Sequence, residues 1–341
     1  MLENPPKHCA ASIRRGTFVI PRINSLNGMN NDFDSTRLRY ALPKWVHNIT
    51  LVFCTYLTNI FAKDFCAERE VRFNLFRNIP RLLPAYTTST KSDNFVKWVA
   101  SGKCELKPQI AKIDGSNVHF LDGSYMENVD VIIFGSGFKP PTYPFLDTLS
   151  TKLSCYCASE RFLRMFDPNT GSAIAFIGQG NRPLVGSIPT VGEMQARLFA
   201  LVVSGKRVLP KLATMESRIE QDLVKSRKEF SAMNQKWRAL INWMPYMDTI
   251  ASEIGCLPNA SMVVSAPRLW FKILVGPPTN FHYRLNGPHA KPDQAAAVIH
   301  KLPVGTRKRD LAFFFAIHLT VDLVSWPVFF IAGMGSFLLG K

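Results

Sequence analysis

Runs of apolar residues, each closed by glycine or proline, divide the chain into elements. Residues 10–20, AASIRRGTFVI, read as a strand ending at Arg14-Arg15-Gly16 and a short second strand. A polar loop, 24–35, follows. From 36 to 78 the apolar positions, Leu42, Trp45, Val46, Ile49, Leu51 and Val52 among them, fall at helical spacing. Pro80 and Pro84 close that region, and TTSTKSDN at 87–94 is a second loop. Residues 104–135 read as short strands with two Asp-Gly turns, Asp114-Gly115 and Asp122-Gly123, a strong hairpin signal. This meander leads into VDVIIF, 129–134, which predicts a buried strand ending in Gly135-Ser136-Gly137-Phe138. Pro140 and Pro141 close it. A second apolar strand is predicted at Ile174–Gly178, with a glycine turn at Gly178-Gln179-Gly180-Asn181.

The clearest helix start lies at Thr190. It stands three positions before Glu193, the spacing of a capping box that satisfies the first backbone N–H groups. Met194, Leu198, Leu201 and Val202 form the apolar stripe, and Gly205-Lys206 supply a stop. Residues 211–238, rich in Glu, Lys, Arg and Gln, predict a solvated helix. Two strands that each end in a Gly-x-Gly turn, with helices between and after, point to an α/β sheet. Neither Gly135-Ser136-Gly137 nor Gly178-Gln179-Gly180 completes a dinucleotide fingerprint, because Pro140 and Pro183 stand where the third glycine would fall.

Composition narrows this picture. The 341 residues, 47% hydrophobic and 19% charged, suit two ordinary domains or one large one. A net charge of +16 favours anionic partners. The basic residues are spread along the chain, and no nucleic-acid-binding signature accompanies them, so no nucleic acid is expected as a partner. Seven scattered cysteines suit reduced thiols. No metal-ligand spacing and no Ser-His-Asp order is present, so no metal and no catalytic side chain is assigned. After Arg307-Lys308-Arg309 the segment 311–340 carries one acid, Asp322, and one histidine, His318. It reads as a membrane anchor with the basic cluster on the cytosolic side. A buried core helix is the alternative.

The order of four segments, SIRRGTFVIPR (12–22), VDVIIFGSGF (129–138), AFIGQGNRPLVGSIPTVGEMQAR (175–197) and FKILVGPPTNFHYRLNGP (271–288), resembles the flavin-containing monooxygenases. The resemblance covers about 12–290 and the tail. It departs from the family at Gly135-Ser136-Gly137-Phe138 and at Pro183–Thr190, which has an inserted Val and lacks a Phe. It implies an incomplete flavoprotein fold with two dinucleotide-binding (Rossmann-like) domains and a C-terminal hydrophobic helix. Residues 1–135 would be the remainder of the NADP-binding domain, with a helical insertion at about 36–90. Residues 136–300 would be the C-terminal part of the FAD-binding domain, and 311–340 the anchor. The implied activity is NADPH- and O2-dependent oxygenation of soft nitrogen or sulfur nucleophiles through a flavin hydroperoxide, at the endoplasmic reticulum membrane with the bulk of the chain cytosolic.

The family's FAD and NADP glycine fingerprints precede the Arg-Arg-Gly segment and are absent here. The chain is therefore expected to be truncated, to hold FAD weakly and to be inactive alone. The other reading is a non-catalytic, membrane-tethered remnant that binds a partner, such as a full-length paralogue. Within the resemblance, Arg14 and Arg15 would meet the NADP 2′-phosphate, or else are two exposed arginines after a strand. Gln179, Asn181, Thr190 and Val191 would lie nearest the flavin. There the helix N-terminus favours negative charge, unless that helix only packs on the sheet.

Overall fold

The computed structural model describes residues 6–14, 18–23, 30, 36–41, 71, 89–136, 143–146, 158–179, 182–183, 186–229, 240–258 and 261–304. The architecture is mixed α/β. Among the described residues the strands form small separate sheets. Strand β1, Ala10–Ser12, and β2, Phe18–Ile20, each pair in parallel with a later strand. Helix α1, Arg37–Ala41, is the described part of the predicted 36–78 helical region, apart from a single helical residue at 71. Strand β3, Ser89–Lys91, is the partner of β2. Helix α2, Phe95–Ala100, then leads to β4, Glu105–Lys107, the partner of β1. Parallel pairing needs such crossovers.

The two Asp-Gly turns form as predicted. Strands β5, Ile110–Asp114, and β6, Asn117–Phe120, pair antiparallel across Gly115, and β7, Tyr125–Met126, folds back on β6 after Gly123. Both glycines have positive φ, +60° and +82°, which a side chain would strain.

Two predicted strands do not form. Residues 129–134 leave β7 without a ladder, and Val131, Ile133 and Phe134 are 73%, 89% and 74% exposed. An apolar run becomes a buried strand only when neighbours satisfy its backbone and cover both faces. Among the described residues none does so beyond Val129 N–H, which donates to Ser116 O. Ile174–Gly178 is likewise irregular. It is held by a single bridge between Phe166 and Ala175 and by Phe176 N–H donating to Met165 O.

The core is helical. Strand β8, Arg182–Pro183, precedes α3, Ile188–Val203, and α4, Leu212–Glu229. Strand β9, Leu240–Ile241, pairs in parallel with β8 and enters α5, Trp243–Ile254. Val191, Met194, Leu198 and Leu201 of α3 pack on Met244, Met247, Ile250 and Ile254 of α5, with Phe162, Met165 and Phe166 in the same cluster. The predicted stripe of α3 is thus the buried one, and Gly205, at φ +72°, follows its end. Helix α4 is largely exposed, as its polar composition requires.

A short helix α6, Met262–Ser265, and α7, Pro267–Val275, lead to a 3-10 turn, Asn280–Arg284, and to α8, Pro292–Lys301. Leu269 and Ile273 of α7 pack on Ile299 of α8 in a smaller cluster. Among the described residues no helix is long and apolar enough to cross a membrane, and the predicted anchor, 311–340, lies outside them.

Candidate functional site

Helix α3 begins two residues before the predicted start. Ser187, in extended backbone, is the N-cap residue, and Pro189 lies in the first turn, where its missing N–H costs nothing. The expected capping box does not form. Thr190 donates its hydroxyl proton to Ser187 O at 2.6 Å and accepts from Trp243 Nε1–H at 3.0 Å. Glu193 turns away to accept from Arg284 Nη2 (2.6 Å) and from Asn280 Nδ2 (2.6 Å). A charge-assisted pair outweighs a neutral backbone cap. Burial pushes the Glu193 carboxyl up, but the bonds from Asn280 and Arg284 outweigh it and hold the group below its ordinary range.

This rearrangement leaves the front of α3 open. Ser187, Ile188 and Pro189 are exposed, and the N–H groups of Ile188 and Thr190 have no partner among the described residues. A helix N-terminus of this kind carries partial positive charge and favours an anionic or carbonyl-rich ligand edge.

The Gly178-Gln179 turn lies beside it. Gly178 has φ +70°, and a Cβ added to Gly192 on α3 would stand 3.7 Å from the Gly178 Cα, so backbone approaches backbone. Gln195, wholly buried, fixes the contact. Its Oε1 accepts from Gly178 N–H at 2.7 Å, and its Nε2 donates to Tyr246 Oη at 2.6 Å. Tyr246 in turn donates to Leu163 O at 2.8 Å. Burial pushes the ionisation of the Tyr246 phenol upward, so it stays a donor at all ordinary pH. Next to this turn, Gln179 Oε1 is buried without a hydrogen-bond donor among the described residues. A buried acceptor without a donor carries a desolvation cost that a ligand N–H would remove.

Four of the six sequence-predicted site residues are described. Gln179, Thr190 and Val191 come together at this turn and helix start. Val191 is fully buried, its N–H reaching Ser187 O at 3.4 Å. Arg14 is exposed beyond β1. Arg15 and Asn181 lie outside the described residues.

Sequence reasoning missed Gln195, although a polar residue beside the apolar stripe of α3 was the available signal. It also missed the cluster below α3. Arg37 makes a two-pronged ion pair with Asp248 at 2.7 and 2.9 Å, and Tyr283 donates to Asp248 Oδ1 at 2.8 Å. Arg197 is buried and donates to Tyr283 O and Pro288 O. Among the described residues no group of His, Cys, Asp and Glu could hold a metal ion.

With this geometry in view, the comparisons fix the class. The family model described as flavin-binding monooxygenase-like matches residues 7–326. The chain belongs to that family. It is 32% identical over 304 residues to a 4-hydroxybenzoate brominase (decarboxylating) of Marinomonas mediterranea, covering 86% of this chain and 56% of that protein. It is 31% identical over 296 residues to flavin-containing monooxygenase 5 of Oryctolagus cuniculus, covering 84% and 52%. The chain therefore spans about half the length of the curated relatives it matches. Family membership implies flavin as the cofactor. The open α3 terminus and the orphaned Gln179 acceptor are a donor and acceptor set that fits a flavin edge.

His282 offers a test of how the cluster is held. It is buried beside Arg37, and neither ring nitrogen has a hydrogen-bond partner among the described residues. Burial, reinforced by the Arg37 charge, lowers its pKa from 6.5 to about 3. The unfolded chain then binds the extra proton between those values, so stability falls as pH drops below 6.5. From pH 7 to pH 5 the loss from this residue is about 2 kcal/mol. Urea unfolding at both pH values should show that loss in the native chain and a correspondingly smaller one in His282→Phe.

Proposed function

We propose that this chain is part of a flavin-containing monooxygenase-like protein that uses FAD, NADPH and O2 to oxygenate soft nitrogen or sulfur nucleophiles. The observation that carries the reading is the open N-terminus of α3, held against the Gly178-Gln179 turn by Gln195. When bound, the flavin supplies the redox and oxygen chemistry. The chain's own residues supply position and charge. Ile188 and Thr190 N–H groups would face the electron-rich edge of the ring. Gln179 Oε1 would accept from a ring N–H. The α3 dipole would favour negative charge developing on the ring. The finer fold reading, remnants of two dinucleotide-binding domains, rests on the same family membership and on the parallel β1–β4 and β2–β3 pairs.

The second reading is a non-catalytic chain that binds a longer member of the family. The exposed Val131, Ile133 and Phe134 favour it, because such a run is a template for strand addition. One experiment separates the two. The purified full chain is titrated with FAD and followed by visible absorbance and flavin fluorescence. The catalytic reading expects saturable binding that falls about tenfold or more in Gly192→Leu, whose side chain drives the turn off α3, and little in Gly192→Ala. A folded chain that takes up no FAD favours the second reading.

Arg14 is proposed to meet the 2′-phosphate of NADPH. Arg14→Ala should weaken NADPH binding about tenfold while leaving NADH binding unchanged, measured by fluorescence titration. Equal loss for both nucleotides would remove Arg14 from that role.

The apolar segment 311–340 behind Arg307-Lys308-Arg309 is proposed to anchor the chain at the endoplasmic reticulum membrane, with the bulk of the chain in the cytosol. In cells, the full chain should stay in the membrane pellet through alkaline carbonate extraction, and a chain ending at residue 310 should not. Full release of the complete chain would overturn the anchor.

A further inference from the structure

We propose that Cys9 and Cys104 form an oxidant-sensitive thiol pair that a hydroperoxide closes to a disulfide. The pair sits where two parallel strands begin. Ala10 stands opposite Glu105 in the β1–β4 register, so Cys9 and Cys104 occupy the rung just before it. The Glu105 N–H donates to the Cys9 carbonyl at 2.9 Å, which already ties the two backbones at that point. The two sulfurs are 4.0 Å apart, with the Cys9 thiol directed at Cys104 Sγ, and neither is bonded to another cysteine. A disulfide requires Cα atoms about 4.4–6.8 Å apart. Neighbouring strands lie about 4.8 Å apart, so side-chain rotation is what remains to be supplied.

The two thiols are unequal, and that sets their roles. Cys9 is exposed, so an oxidant reaches it. Cys104 is 7% exposed and is shielded from direct attack. Burial, with the Cys9 thiol beside it, pushes the Cys104 thiol up to about 11, so it waits protonated. Attacking and resolving positions are therefore distinct, the arrangement of redox-sensing thiols.

The steps balance. The Cys9 thiolate attacks one peroxide oxygen, the O–O bond breaks, and the departing oxygen takes up a proton and leaves as water. Cys9 is now a sulfenic acid. The Cys104 sulfur attacks the Cys9 sulfur, the S–O bond breaks, and the hydroxyl departs as water with the Cys104 proton. Two thiols and one hydrogen peroxide become one disulfide and two waters, two electrons passing from the sulfurs to the peroxide.

The bond would link positions 95 residues apart, closing one large loop over everything between β1 and β4. A long closed loop restricts the unfolded chain most, so the folded state gains. In the native fold the change is local, because β1 and β4 are already joined. Ile13 N–H donates to Lys107 O at 2.9 Å, and Ser12 Oγ donates to Pro108 O at 2.7 Å.

The test uses the full chain, purified under reductant, freed of it, and exposed to a small molar excess of hydrogen peroxide. Remaining thiols are alkylated and the unreduced digest is read by mass spectrometry. The expected product is a Cys9–Cys104 linked peptide two hydrogens lighter than its parts, with a thermal midpoint several degrees above that of the reduced chain. Dithiothreitol should reverse both. Cys9→Ser, a change at an exposed position, should abolish the rise and the linked peptide without lowering the reduced midpoint. Cys104→Ala should leave Cys9 as a trappable sulfenic acid. Recovery of Cys9 as a free thiol, joined to any other cysteine, or joined to a second chain would overturn the pair.

Discussion

A single buried amide holds the site together. Gln195 lies on the face of α3 that packs against α5, where an apolar residue would be expected, and its two polar ends reach opposite ways. One end takes the Gly178 N–H; the other gives to Tyr246, which gives to Leu163 O. Three separate stretches of chain meet on that one side chain, and Tyr246 ties in a fourth at Leu163. Removing it would strand the Gly178 donor and break the bonds that connect turn to helix, each a buried polar group left unpaired. The close backbone approach of Gly178 to Gly192 is fixed by it.

The charged residues around this junction are used mainly to join segments distant in sequence. Glu193 ties α3 to the Asn280–Arg284 turn, and Asp248 ties α5 to Arg37 and Tyr283. Arg197 caps carbonyls of that same turn region. Partly buried pairs of this kind add little net stability, because desolvation offsets much of the attraction. Their effect is to fix position: the turn from 280 to 284 sits under the start of α3 with Asn280 holding the Thr190 carbonyl at 3.1 Å. The Thr190 hydroxyl and carbonyl are engaged inside the protein, and its backbone N–H has no partner among the described residues.

The apolar stretch 129–134 shows the limit of local pattern. Its composition is that of a central strand, yet Ile133 and Phe134 face solvent. Burial of a strand is a property of the neighbours on both sides, not of the run itself. The same holds for Ile174–Gly178, which became a supporting turn for α3.

Much of the fold was legible in the sequence where the determining interactions are local. The Asp-Gly hairpins at 114–115 and 122–123 formed because positive φ at Gly115 and Gly123 is a matter of one residue's sterics. The stripe Met194, Leu198, Leu201 and Val202 was buried because helical spacing places those positions on one side. The site was less legible. Gln179, Thr190 and Val191 were named through the family resemblance, and the fold brings them to one turn and helix start. The capping box at Thr190 failed because Arg284 and Asn280, some ninety residues on, compete for Glu193. Gln195, His282 and the Arg37–Asp248 pair carry no local signature. Their roles exist only when distant segments meet, and the energy that decides them is the cost of burying a polar group, which depends on what the tertiary structure brings within hydrogen-bonding reach.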